Sequence, residues 1–311
     1  MELSYKIKED CAIIVFHGEK KMAKNKRQNL DKEKIRQVRN IKRKRRKLAN
    51  KRQKKSPVAK AVFSLIMTLA IGVFLVSGLK LLSIFTTYKK AENTYSNIQV
   101  DVADIIPDVG YPKVDFEKLL AQNPDTVGYI FSEDVMAYPI VQGTDNEYYL
   151  HIMFNGEWNP SGTLFVDSRL PDGMESKNCI IYGHNMKDES MFGKLYKYSD
   201  PEYYNAHRTY HVYTLEHHYV YKAIAAYTAA VDGFTYTMGF GSDEDFLNFL
   251  EQTKNASWFD CDTELNADSK IITLSTCLGN NDDDYRNVVI LVREGEITEE
   301  SETAQESEAV K

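Results

Sequence analysis

Between Lys60 and Lys80 lie 19 residues without a charged side chain. As a helix that run is about 28 Å long, close to the hydrocarbon thickness of a bilayer. A buried helix of a soluble domain would normally show a polar stripe. Residues 61–79 therefore read as a single transmembrane helix, lengthened to residue 85 by Leu81, Leu82, Ser83, Ile84 and Phe85. Lys80 snorkels to the interface. A chain of 311 residues built around such a span has to fold as two unequal parts.

The charges divide in the same place. Residues 20–60 hold 20 Lys and Arg against two acids, Asp31 and Glu33, whereas the remainder holds 19 basic and 43 acidic residues. The net charge of -6 is thus the difference between two strongly charged parts. By the positive-inside rule the basic segment, 1–60, stays in the cytoplasm and the C-terminal domain lies outside the cell membrane. A cleaved signal peptide has a short positive region and a small-residue cleavage site, so the long basic lead predicts an uncleaved anchor. The string 42–47 (KRKRRK) invites a nucleic-acid reading, but it lacks interleaved aromatics and abuts the span. Contact with anionic lipid headgroups is the simpler expectation, with no nucleic-acid partner. Residues 1–21 fit no pattern, and a purine-rich coding run ending at Met22 predicts that translation starts there.

Beyond the span, residues 86–126 read as a stalk, 86–108, helical near 88–96, and a short helix opened by Asp115 as cap. From Val127 the pattern turns to β, with runs at 127–131, 137–142, 162–167 and 179–184. Residues 190–198 have helical spacing, with Met191, Phe192, Leu195 and Tyr196 along one side. Residues 210–227 predict a hairpin turning near Glu216 and His217, and 241–257 a helix with Phe246, Leu247 and Leu250 on one face. The last strands are 270–277 and 287–292. About eight short strands with two or three inserted helices predict a mainly β domain, 127–293, closed into a barrel that leaves no free edge. The tail, 294–311, is rich in Glu, Ser and Thr and lacks an apolar face, which predicts disorder.

The four cysteines are dispersed, at 11, 179, 261 and 277, with no metal-ligand spacing. Cys179 lies in an apolar strand and is expected to be an inert core thiol. Cys277 closes the run Lys270-Ile271-Ile272-Thr273-Leu274-Ser275-Thr276-Cys277, immediately before a polar loop. Its position at a strand–loop rim argues for a nucleophile. His184 ends another β-rich run, Asn178-Cys179-Ile180-Ile181-Tyr182-Gly183-His184, while Arg286 opens the last strand. A thiol, an imidazole and a guanidinium at strand ends are the parts for acyl transfer through a thioester. Among the other histidines, His217 and His218 sit at the expected hairpin turn and are expected to be solvated; His151, His207 and His211 lie in no motif.

The strings Tyr-Gly-His-Asn-Met at 182–186 and Thr-Leu-Ser-Thr-Cys at 273–277, with Arg286 after them, resemble the sortases, membrane-anchored cysteine transpeptidases of Gram-positive bacteria, and most of all class B. The resemblance covers about 127–293. It implies an eight-stranded sortase barrel, with the helix near 241–257 as the insertion typical of class B. It implies Cys277 as nucleophile, His184 as acid and base, and Arg286 as donor to the oxyanion. Asn146, Leu150, Tyr182 and Ser275 carry over as contacts to the sorting peptide. No cofactor and no metal are expected. The implied reaction cleaves a C-terminal sorting motif of Asn-Pro-x-Thr-Asn or Pro-x-Thr-Gly type after its threonine, then passes the secreted protein to an amine of a peptidoglycan precursor. Two alternatives stand beside it: a sortase that polymerises pilins through a lysine amine, and a non-catalytic surface barrel that binds peptides.

Overall fold

The computed structural model describes residues 22, 26–27, 29–49, 57–105, 110–277 and 284–298. The expectations for 1–21 and for the tail beyond 298 fall outside the described residues. The chain divides into two units, Met1–Leu79 and Lys80–Lys311. In the first, residues 29–49 form an exposed helix, α1, and α2 (Pro57–Val102) begins. Among the described residues α2 is the one helix long and apolar enough to cross a membrane. Its apolar side chains, Phe63, Leu65, Ile66 and Leu69 among them, are exposed.

Within the second unit the end of α2 is amphipathic. Ala91, Tyr95, Ile98 and Val102 are buried at steps of four, three and four residues, one stripe of a helix. The Tyr95 hydroxyl donates to the Gly162 carbonyl, and its ring meets Tyr138 edge-on at 5.3 Å. What reads as a stalk in the sequence is therefore a helix packed on the domain. A small ladder follows, β1 (Ala103–Ile105) with β2 (Pro112–Val114). Next comes α3 (Phe116–Gln122), whose cap Asp115 accepts from the Lys118 amide; such a cap is worth about 1 kcal/mol.

The remaining strands are β3 (Thr126–Ser132), β4 (Met136–Val141), β5 (Leu164–Val166), β6 (Asn178–Tyr182), β7 (Thr209–Tyr213), β8 (His218–Ala230), β9 (Ile271–Cys277) and β10 (Tyr285–Ile297). They close into a barrel in the order β10-β8-β7-β3-β4-β5-β6-β9. Two neighbouring pairs are parallel, β4 with β5 and β6 with β9. Parallel neighbours need long crossovers. The first crossover carries a single helical turn, α4 (Tyr148–His151); the second carries β7, β8, a short helix α5 (Pro201–Ala206) and α6 (Asp243–Ala256).

The unbroken apolar run of β10 has a simple cause. Val289 and Leu291 face the barrel interior, whereas Val288, Ile290 and Val292 face a second cluster formed with Phe246, Phe249 and Leu250 of α6. A strand buried on both faces has no polar alternation. Ser242 caps α6, accepting from the Asp245 amide, and three acids in its first turn complement the helix dipole.

Three further expectations change. Residues 190–198 do not form one helix: Glu189 and Met191 adopt left-handed backbone, with φ of 65° and 52°, and a short 3-10 turn spans only Leu195–Ser199. Pro201 then starts α5, with Asp200 as its cap. The last strand is longer than 287–292, because β8 offers partners as far as His218, opposite Ile297. His218 is not solvated. The turn ends at His217, and His218 begins β8 beneath Tyr111, buried, with its Nε2 3.0 Å from Nδ1 of His211. Tyr111 stacks on His211 at 4.6 Å and Tyr213 on His218 at 4.0 Å.

Burial pushes His211 down to about 4 and His218 to about 3, the latter also opposed by charge on His211. Both are neutral in the fold, while the unfolded chain binds their protons below about 6.5. Their contribution is thus complete above that pH and is lost as pH falls toward the folded values. Thermal midpoints should show it: a His211→Gln/His218→Gln double variant will lose less stability than the parent between pH 6.5 and 4. Parallel pH curves for the two proteins would contradict this.

Candidate active site

The site is built from strand register. In the parallel pair, Tyr182 of β6 lies level with Ser275 of β9, and the Gly183 amide donates to the Ser275 carbonyl at 3.2 Å. Both chains run past that point in the same direction, so His184 and Cys277, each two residues on, leave the barrel at the same rim. In the antiparallel pair, Cys277 lies opposite Arg286. The three residues singled out in the sequence thus converge at one end of β6, β9 and β10. His184 is not the strand's last residue, because β6 ends at Tyr182. Gly183 between them allows close packing: a Cβ there would collide with Leu164 and lie 2.8 Å from the Phe192 ring.

His184 is half-buried beside α4. Its Nε2 is 2.7 Å from the Leu150 carbonyl, an acceptor only, so Nε2 carries the proton. The His151 ring stacks on it at 5.9 Å and 18°, and Trp158 lies 6.4 Å beyond His151. Burial lowers the His184 pKa; the Leu150 hydrogen bond works against burial, and His151 works with it. The Arg286 guanidinium is partly buried and donates to the Tyr285 carbonyl at 2.9 Å.

The four residues carried over as peptide contacts gather next to this rim. Ser275 is buried, with its hydroxyl 2.9 Å from that of Tyr236. Tyr182 donates to Asp167 at 2.9 Å. Asn146 accepts from the Ser168 amide at 2.8 Å, and Leu150 is half-buried on α4. Asp167 joins them. Its side chain is fully enclosed and accepts from Arg169 Nε, at 2.9 Å, and Nη2, at 2.7 Å. Burial alone would raise its pKa; hydrogen bonds from the Arg169 side chain and backbone, from Asn146 and from Tyr182 outweigh burial and hold it down at about 2. It is a carboxylate at any physiological pH. The same charge, after burial, pushes the Tyr182 hydroxyl up, so that it remains a neutral donor.

Sequence reasoning missed Asp167, Tyr236 and His151. The Asp-x-Arg spacing at 167–169 was the visible trace of the first. Nothing local marks Tyr236 or His151, because fold alone brings them to the rim. Cys179 is the expected core thiol, fully buried, its pKa raised by that burial. Among the described residues no group of His, Cys, Asp and Glu is arranged to hold a metal.

Comparison with known proteins agrees with this geometry. A sortase-domain family model matches residues 132–294. Sortase B of Listeria monocytogenes is 33% identical over 229 residues, spanning 71% of this chain and 91% of its own length. The crystal structure of a Bacillus anthracis protein similar to sortase B superposes with a TM-score of 0.59 at 32% identity, covering 68% of this chain and 98% of that one. The Staphylococcus aureus sortase B–substrate complex gives 0.54 at 28%, covering 59% and 85%. With a barrel of this order and a family match over more than half its length, the chain belongs to the sortases, the cysteine transpeptidases, and within them to class B.

Proposed function

We propose that this class B sortase is anchored by α2 with its N-terminus in the cytoplasm, cleaves a C-terminal sorting motif after threonine, and transfers the protein to an amine of a peptidoglycan precursor. The observation that carries the reading is the paired register, Tyr182 with Ser275 and Cys277 with Arg286, which sets three chemically matched residues on one rim. The basic lead supports the orientation, and its lipid contacts suit a cytoplasmic face.

As the Cys277 sulfur attacks the threonine carbonyl carbon, its thiol proton passes to His184 and the carbonyl π electrons move to oxygen. Arg286 donates to that oxyanion. Collapse expels the amine of the next residue, protonated by His184, and leaves a thioester. The acceptor amine then attacks the thioester, His184 takes its proton, and Cys277 is released. With Nε2–H held by the Leu150 carbonyl, the nitrogen that exchanges protons is Nδ1. Burial of His184 favours the uncharged thiol–imidazole form at rest and makes its imidazolium the stronger acid.

Asn146, Leu150, Tyr182 and Ser275 contact the peptide, and Asp167 holds two of them in place through hydrogen bonds. Motifs of Asn-Pro-x-Thr-Asn and Pro-x-Thr-Gly type both fit the family. Membership in a family of transpeptidases sets aside the non-catalytic barrel, and the acceptor separates wall anchoring from pilin polymerisation.

Three outcomes test this. Full-length protein in detergent, given fluorogenic peptides of both motif types with a stem-peptide amine or a lysine-bearing pilin segment, will cleave after threonine and ligate the stem-peptide amine. Cys277→Ala will do neither. Product masses showing ligation to the pilin lysine alone would replace wall anchoring with polymerisation. Arg286→Lys will lose roughly 100-fold or more in kcat/KM, the scale of a lost oxyanion donor; a near-parental value removes Arg286 from the mechanism. Asp167→Asn, which keeps shape but loses the charge-assisted bonds, will raise peptide KM roughly tenfold with kcat little changed. A fall confined to kcat would contradict its placement under the peptide site.

A further inference from the structure

The His184 ring is constrained twice by the same helical turn. Its Nε2 is tied to the Leu150 carbonyl, which fixes a direction within the ring plane. The next residue, His151, lays its own ring nearly parallel at 18°, which fixes the plane itself. Neither contact alone stops the imidazole from turning about its Cβ–Cγ bond; both together do. α4 is stiff enough for the task. Asp145 accepts from the Glu147 and Tyr148 amides, both at 2.8 Å, and the buried Tyr149 hydroxyl donates to Asp125 at 2.7 Å. The Tyr149 and His151 carbonyls accept from the Thr163 and Asn159 amides at 3.0 and 2.8 Å. Gly162, with φ of +56°, packs so closely below that a Cβ would strike the Tyr149 carbonyl and lie 2.6 Å from that of Leu150. His151 itself is exposed and lies within ring contact of Trp158.

We propose that His151 is a positioning residue for the transpeptidation: through ring contact with His184 it holds the catalytic imidazole in the plane from which its Nδ1 meets the sulfur and the amines. This rests on the reading of His184 as the acid and base. His151 needs no contact with the substrate to act. Its ring also opposes positive charge on His184, which a phenyl ring does not. The groups acting on His184 are the Leu150 carbonyl and His151, both from α4; the neighbouring β9–β10 rim pairs Cys277 with Arg286 in register. Removing His151 therefore takes away one source of opposing charge and leaves the others.

The two contributions separate by substitution. His151→Phe keeps a flat ring without charge; His151→Ala removes both. In full-length protein with labelled histidine, held in lipid nanodiscs, the His184 NMR titration will move to higher pH in both variants. With a cleavable sorting peptide, His151→Ala will lose about tenfold in kcat with KM within twofold, an effect on the scale of losing one aligned proton transfer. His151→Phe will stay within about threefold of the parent, as a role through ring contact requires. Thermal midpoints will match the parent, because the side chain is exposed. A His151→Ala enzyme with parental kcat overturns the proposal, as does a His151→Phe enzyme no more active than His151→Ala. His184→Ala distinguishes the two levels: if it turns over normally, the acid–base reading fails with this one; if it is inactive while His151→Ala is normal, only this one fails.

Discussion

Most of what is distinctive here depends on one parallel strand pair. β6 and β9 lie side by side in the barrel although almost ninety residues lie between the end of β6 and the start of β9, so a crossover must travel around the barrel between them. The register of that pair is locked from inside. Thr273 donates to the Asn178 side chain at 2.7 Å, and Asn178 in turn donates to the Thr235 and Thr237 carbonyls at 3.2 and 2.9 Å. A slip by one residue would break this buried network and turn the barrel-facing side chain of Leu274 outward. It would also separate the histidine from the cysteine. The same asparagine fixes the segment that brings Tyr236 to Ser275, so core order and site order share a cause.

The second parallel pair contributes the other half. Its shorter crossover, between β4 and β5, carries α4, a single turn that holds the His184 imidazole by the Leu150 carbonyl and the His151 ring. Asn146 and Leu150 lie on this same crossover. In the proposed function the element that reads the peptide and the element that orients the proton carrier are therefore one piece of chain. Asp167, at the end of β5, ties this piece to Tyr182 at the end of β6. Four strand ends thus converge through a carboxylate, an imidazole and a few main-chain groups.

Patterns that depend on local chemistry were legible in the sequence. The barrel strands, the helix capped at Ser242 and the hairpin at Glu216 announce themselves by alternation, spacing and turn residues. The strings around Cys277, His184 and Arg286 stand out in the same way, because strand ends are local, while the roles of these residues belong to the proposed function. The packed end of α2 was partly legible: the spacing of Ala91, Tyr95, Ile98 and Val102 is amphipathic, but the charged residues between them masked it. His218 was misplaced because one residue decides whether a side chain belongs to a turn or to the strand below it. The helix expected over 190–198 failed for a related reason. Its apolar spacing is real, and Met191, Phe192 and Leu195 are buried, yet two left-handed residues bend the backbone away from a helix. His151 was illegible, since its meaning comes only from a histidine 33 positions away.

The most direct test of the central claim is to trap the intermediate. Full-length protein is mixed with a cleavable sorting peptide in the absence of any amine acceptor, quenched in acid within one turnover, and its mass measured intact and after digestion. The account predicts an added mass equal to the peptide up to its threonine, carried on Cys277. Cleavage of the peptide with no such adduct, or with the adduct on another residue, would contradict it.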